Sequence, residues 1–212
     1  MNEADKFLAA RNKAQNKCTT SFGAIGGHEV APLQVGSQRF QQASRERDSV
    51  LLIGLSLLSG MFAILSAIIR QLIIGMPDLL AAIMVAPPVE EILKAAIPIM
   101  VLEHRANWLS RGRDLLWFAM GSALVFAVVE NLLYQFFYLE NPSSELLMWR
   151  WIACTAMHVT ATGLSGVGLM RTYERGVRTG RKPRFVWEWP WLIGAIAVHM
   201  AYNAYAALAA PF

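Results

Sequence analysis

Charge is scarce in this sequence. Of its 212 residues 16% are Asp, Glu, Lys or Arg and 55% are hydrophobic, a balance too apolar for an ordinary water-soluble domain and one that points to lipid as the solvent. Cysteine is nearly missing as well. Cys18 stands in a polar segment and Cys154 in an apolar run, so a disulfide framework is excluded and both are expected to be free thiols. No apolar run precedes Val50. The first hydrophobic segment is then too far along to be the core of a cleaved signal peptide, and the N-terminus is expected to be retained. There is no basic run interleaved with base-stacking aromatics, which removes nucleic acid from the expected partners. There is also no internal repeat.

What is present divides the chain in two. Residues 1–48 mix Asn, Gln, Ser, Gly, Lys and Arg without a sustained apolar period and read as a polar cytoplasmic N-terminal tail. Residues 49–212 read as an all-α domain: a polytopic transmembrane helical bundle with about five spans and a polar intramembrane site. The expected spans are 50–69, 76–102, 115–137, 146–170 and 190–210. The first is a run of 20 uncharged residues, enough to cross a hydrocarbon layer of about 30 Å at about 1.5 Å per residue. The second is interrupted by Pro87-Pro88, which are expected to end one helix and start another, leaving Glu90 and Glu91 in a first turn. Asp114 is placed to cap the third.

Orientation follows from the cations. Seven Lys and Arg lie before the first span, three between the second and third, and six between the fourth and fifth, whereas the opposite side has only Arg70 and, at the start of the fourth span, Arg150. Positively charged loops resist translocation, so the pattern predicts a multi-pass protein of the inner or plasma membrane with a cytoplasmic N-terminus and an outer C-terminus. All seven tryptophans fall near expected span ends, as suits residues that prefer the headgroup region.

Ionisable groups within the spans cost about 2.5 to 3.5 kcal/mol each on insertion scales, so several in one small protein call for a joint explanation. Counted along the helices, Glu90, Glu130, His158, His199 and Asn203 come from four spans and fall within about 10 Å of one depth. Glu90 and Lys94 share a helix face at i,i+4, as do His199 and Asn203. Thr155, His158, Thr162 and Ser165 draw a polar stripe on the fourth span, expected to face the bundle interior.

Four motifs occur in order: Glu90-Glu91-x-x-Lys94 after a proline pair, Phe126-x-x-x-Glu130-Asn131, the lone His158, and His199-x-x-x-Asn203. Together they resemble the PrsW-type intramembrane proteases, related to CAAX prenyl endopeptidases and bacteriocin-processing membrane proteases, over about residues 75 to 205. The resemblance implies a bacterial enzyme for site-1 cleavage of single-pass membrane proteins such as an anti-sigma factor, with Glu90, Glu91, Glu130, His158 and His199 as functional residues.

Peptide hydrolysis needs an activated water, an oxyanion stabiliser and a proton donor for the leaving amine. Either Glu90 or Glu91 suits the base, His158 suits holding the water, His199 and Asn203 suit the oxyanion, and Glu130 suits orienting an imidazole or binding metal. The favoured mechanism has no obligatory metal. The alternative is zinc held by Glu130, His158 and His199, a set of catalytic type without the HExxH spacing. Three other readings compete. The buried charges also suit a transporter or proton relay, although no duplicated halves support it. A catalytically inactive scaffold is another. The third is a rhomboid-like serine protease using Ser165 of Gly163-Leu164-Ser165-Gly166 with His199 as base.

Overall fold

The computed structural model describes residues 50, 51, 53–61, 65 and 78–209. The expected tail, and the connection between the first two spans, lie outside the described residues. All the regular structure described is helical. Residues 53–61 form helix α1. After a short helical lead-in come α2 (Ala86–His104), α3 (Arg113–Leu133), α4 (Ser144–Trp149), α5 (Thr155–Thr179) and α6 (Trp189–Ala209). Among the described residues three continuous segments are long and apolar enough to cross a membrane: Arg113–Tyr138, Ser144–Thr179 and Trp189–Ala209. With α2 and α1 they make an all-α membrane bundle.

The prolines act differently from the sequence expectation. The helix does not stop at Pro87-Pro88 but widens into a π turn over Ala81–Val85, and α2 continues from it with the prolines in its first positions. Glu90 and Glu91 consequently fall beyond the first turn, away from the free N–H groups that a helix start would offer. The widening has a plain cause. The Ala86 N–H reaches back to the Ala81 carbonyl, and Pro87 has no N–H to give the next carbonyl, that of Ala82. Asn203 supplies the missing donor: its Nδ2 donates to Ala82 O at 2.8 Å. One side chain of α6 thus repairs the backbone of the second span, which ties the two helices at the depth of the polar residues.

Asp114 is also displaced from its expected role, since the residue preceding α3 is Gly112. Its carboxylate instead accepts the Arg111 N–H at 2.7 Å, satisfying a donor ahead of the helix. α4 carries a conventional cap, Ser143 Oγ accepting from Leu146 N at 3.1 Å. α4 and α5 are one long span interrupted by a π turn at Arg150–Cys154.

α5 is the central element, packed along both α3 and α6. Its small residues permit this closeness. A Cβ on Gly168 would stand 2.5 Å from the Trp191 Cβ and one on Gly166 would stand 2.9 Å from the Ala119 Cβ, so the helix backbones approach in the way that packing in lipid favours. At one end of the bundle Val101, Leu102, Leu115, Phe118 and Leu169 form an apolar core. There the Phe185 N–H donates to Glu103 Oε1 at 2.6 Å, fastening the connection between α5 and α6. The polar residues lie deeper in the bundle, between α2, α3, α5 and α6.

A candidate active site

Each polar residue of the α5 stripe faces another part of the bundle. Thr155 Oγ1 accepts from Asn131 Nδ2 at 3.1 Å, Thr162 Oγ1 donates to Glu91 Oε2 at 2.7 Å, and Ser165 Oγ donates to Glu188 Oε1 at 2.6 Å. Between them His158 stands with its ring centroid 4.8 Å from that of His199. Glu90, Glu91, Lys94, His158 and His199 are all buried, and Glu130 is nearly so.

Lys94 is the hub. Its Nζ lies 2.8 Å from Glu91 Oε1, 2.9 Å from His158 Nδ1 and 3.7 Å from Glu90 Oε2, and it sits 4.0 Å from the centroid of the Phe126 ring. Charge this deep is costly unless paired and hydrogen-bonded, and here the ammonium has a carboxylate, an imidazole and a ring face around it. Glu91 is equally engaged. Besides Lys94 and Thr162 it holds His199, whose Nδ1 lies 3.0 Å from Oε1.

Carboxylates fix the imidazoles. Glu130 Oε2 is 3.0 Å from His158 Nε2. A carboxylate can only accept, so Glu130 places the His158 proton on Nε2 and Glu91 places the His199 proton on Nδ1. The other nitrogens then present lone pairs: His158 Nδ1 toward the Lys94 ammonium, and His199 Nε2 toward Glu90 Oε2, 3.7 Å away.

A cavity of about 230 Å³ opens beside this cluster, lined by Glu90, Glu130, Arg150, His158, His199 and Asn203 among others. Glu91 is fully buried behind it. Of the six residues singled out from sequence, five therefore line one cavity, and Glu91 stands behind them as the anchor of His199 and Lys94. Three were not singled out as site residues. Lys94 carries the cluster, Thr162 holds Glu91, and Arg150 forms part of the cavity wall. Lys94 was detectable as a lone cation three and four residues from two glutamates, but Arg150, next to Trp149, looks in sequence like an ordinary interfacial arginine.

As a metal site, the donor types fit. Among the described residues the His, Cys, Asp and Glu side chains whose ligand atoms converge are Glu90, His158 and His199, within 4.8 Å of one another. Each imidazole has its remaining nitrogen on a carboxylate, the usual support for zinc-ligating histidine. Glu130, a ligand in the zinc alternative and otherwise the residue suited to orienting an imidazole, lies 3.0 Å from His158 Nε2, with Arg150 Nη2 at 3.5 Å from the same oxygen. The Lys94 ammonium points at the His158 lone pair that a metal would need.

Ser165 does not meet His199 in a serine-protease pair, since its hydroxyl goes to Glu188. Glu188 lies in the connection before α6, outside the spans. It is buried, and among the described residues its Oε2 has no hydrogen-bond partner. Burial pushes its carboxyl from 4.5 up to about 7, the Ser165 bond acting the other way. The folded protein thus keeps this proton to about pH 7 while the unfolded chain releases it near the ordinary value of 4.5. Stability should fall as pH rises across that window and stay lower above it. Thermal unfolding in detergent should show a loss in Tm between pH 5 and pH 8 that is smaller in Glu188→Gln, with the variant the more stable of the two at pH 8.

A family model for PrsW family intramembrane metalloproteases matches residues 49–212. Among curated proteins and among solved structures no significant match is found.

Proposed function

Because this chain belongs to the PrsW family of intramembrane proteases, we propose that it is an endopeptidase that cleaves single-pass membrane proteins of the anti-sigma-factor kind, in a site-1 reaction within the bilayer. The observation that carries this reading is the convergence of Glu90, Glu130, His158 and His199, from four helices, on one cavity.

Glu90 is the base. Of the two adjacent carboxylates it is the one at the cavity wall, whereas Glu91 is already committed to Lys94, Thr162 and His199. Glu90 takes a proton from a water held against the His199 Nε2 lone pair and returns it to the leaving amine nitrogen. Glu91 is a positioning residue that fixes the tautomer and orientation of His199. Glu130 does the same for His158. Asn203 spends one amide hydrogen on Ala82, and the second is the donor assigned to the oxyanion. When zinc is bound, Glu90, His158 and His199 are the residues that would hold it, and it would supply an acidified water and polarise the scissile carbonyl. Water activation by Glu90 is preferred because the Lys94 ammonium already brings positive charge to the centre of that donor set.

The direct test is purified protein in detergent micelles, incubated with a panel of single-pass substrates, comparing wild type with Glu90→Gln. Persistence of every cleavage product in the variant would overturn the hydrolase assignment at its central residue. Glu130→Gln should be milder. It keeps the shape of the bond to His158 and loses its charge, so activity is expected to fall on the order of 10- to 100-fold, as for carboxylates that orient histidines elsewhere.

We also assign the N-terminus to the cytoplasm and the C-terminus to the outer side, supported by the distribution of Lys and Arg. A cysteine placed near residue 178 should be protected from an impermeant reagent in intact cells, and one near residue 143 should be labelled. Reversed labelling would invert the side from which substrate is presented.

A further inference from the structure

Arg150 is an arginine whose hydrogen-bonding capacity is largely unspent inside the cavity. Among the described residues it is the one Lys or Arg in the lining. Its guanidinium is held in place by stacking, Cζ lying 3.5 Å from the centroid of the Tyr134 ring. Its contact with Glu130 is loose. Nη2 stands 3.5 Å from Oε2, beyond the roughly 2.7 to 2.9 Å of a charge-assisted hydrogen bond, and that oxygen is already engaged by His158 at 3.0 Å. Nε is buried and has no hydrogen-bond partner among the described residues. A guanidinium has five N–H donors, and a buried donor without an acceptor is costly. The geometry is that of a donor fixed in orientation and awaiting an acceptor.

The substrate supplies one. A membrane-spanning helix keeps its backbone carbonyls hydrogen-bonded internally, so it must unwind to offer a peptide bond, and each carbonyl freed in a water-poor site costs several kcal/mol until it finds a donor. Of the other donors in the wall, Asn203 is spent in part on Ala82, Tyr202 faces Cys154 Sγ, and Trp149 Nε1 offers a single neutral N–H against the charged fork of Arg150. Behind the wall Lys94 is spent on Glu91 and His158, and Thr162 on Glu91. Acceptors are plentiful, with Glu90 and Glu130 both in the wall. Those two carboxylates also disfavour an acidic side chain, which would meet two like charges for one cation, whereas a neutral carbonyl meets no such penalty.

We propose that Arg150 is a substrate-binding residue whose guanidinium takes main-chain carbonyls of the unwound substrate, on the side of the scissile bond that faces the connection at residues 139–143. This rests on the protease reading for the nature of the ligand, and it goes beyond it in naming what holds the substrate and by which atoms.

The test separates binding from hydrolysis. A fluorescent single-pass peptide is titrated in detergent onto Glu90→Gln protein and onto Glu90→Gln with Arg150→Met, and kcat and KM are measured for Arg150→Met alone. Binding should weaken about 10- to 100-fold, the loss expected for hydrogen bonds to a charged group. KM should rise correspondingly and kcat should change less than about threefold. Arg150→Lys, which keeps the charge beside Glu130 but not the fork, should bind with intermediate affinity and guards against a Met variant that fails to fold. If Arg150 acts only by holding Glu130, kcat will fall instead and the effects of Arg150→Met and Glu130→Gln will not multiply, which overturns the proposal. A defect confined to peptides carrying Asp or Glu near the cleaved bond also overturns it, because a carbonyl clamp is indifferent to side chains. The two readings fail separately. Arg150-dependent peptide binding without cleavage by wild type would sink the protease assignment alone, and cleavage with binding indifferent to Arg150 would sink this one alone.

Discussion

Glu90→Gln should lower kcat by about 10⁴-fold, the upper range for loss of a group that serves as both general base and general acid, while leaving the thermal unfolding of the protein close to that of wild type. Both halves of the expectation come from position. Glu90 lines the cavity, and its charge contacts are long, with Lys94 Nζ and His199 Nε2 each 3.7 Å from Oε2. An uncharged amide there removes the proton acceptor and keeps the size and shape of the side chain. Glu91→Gln should behave in the opposite sense. Its carboxylate oxygens hold Lys94 at 2.8 Å, Thr162 at 2.7 Å and His199 at 3.0 Å, all buried. The amide leaves the Lys94 ammonium short of its nearest counter-charge, which places the cost on stability, about 3 to 5 kcal/mol for a broken buried pair. Its activity loss should track the fraction unfolded and be relieved at low temperature. Measurement of kcat alongside thermal unfolding for the two variants decides the matter. Should Glu91→Gln be inactive at wild-type stability while Glu90→Gln still turns over, the roles are exchanged.

The two carboxylates show where sequence reading stops. That Glu90 and Glu91 belong to one polar cluster was legible, because ionisable groups in an apolar span are expensive and four spans carry them at one depth. Which of them faces the cavity was not. Adjacent residues on a helix point about 100° apart, and the π turn at Ala81–Val85 resets the phase of everything after it. The same turn explains why a proline pair that reads as a break proved to be a widened but continuous helix. Its orphaned carbonyl is satisfied by Asn203, 121 positions along the chain, and no local pattern announces such a partner.

Span limits were legible where apolar runs define them, as in the third, fourth and fifth. The fourth was read to residue 170, yet α5 continues to Thr179 and ends at Gly180, whose φ of 66° closes the helix. Hydropathy reports the membrane portion of a helix and is blind to its extension beyond. Here that extension is basic, with Arg171 and Arg175 stacked on Trp191 and Trp187, an interaction that needs the fold of the α5–α6 connection to exist. Residue types at the site were therefore readable, and the pairings among them were not.

Lys94→Met should destabilise the protein as much as Glu91→Gln and, with zinc, be the more informative of the two. Methionine keeps much of the side-chain length against Phe126 but deletes the charge that neutralises Glu91 and faces Glu90. A carboxylate left buried without its cation costs about 3 to 5 kcal/mol, so in the presence of a chelator the variant should unfold at a clearly lower temperature than wild type. The substitution also frees the His158 Nδ1 lone pair, now only 2.9 Å from the ammonium, and so clears the Glu90, His158 and His199 donor set. A divalent cation can then occupy the position of the lost charge. Added zinc should raise the unfolding temperature of the variant, by the equivalent of about 2.7 kcal/mol at a hundredfold excess over its dissociation constant. It should leave wild type nearly unmoved, since there it must displace an ammonium already paired. Wild-type activity should likewise survive chelation if Lys94 is the resident cation and Glu90 activates water unaided. The opposite result is equally readable. Wild-type protein that carries one zinc per chain, and loses both activity and unfolding temperature when it is removed, would mean that Lys94 withdraws to admit the metal and that Glu90 serves as a ligand, which would make the enzyme a metalloprotease in mechanism.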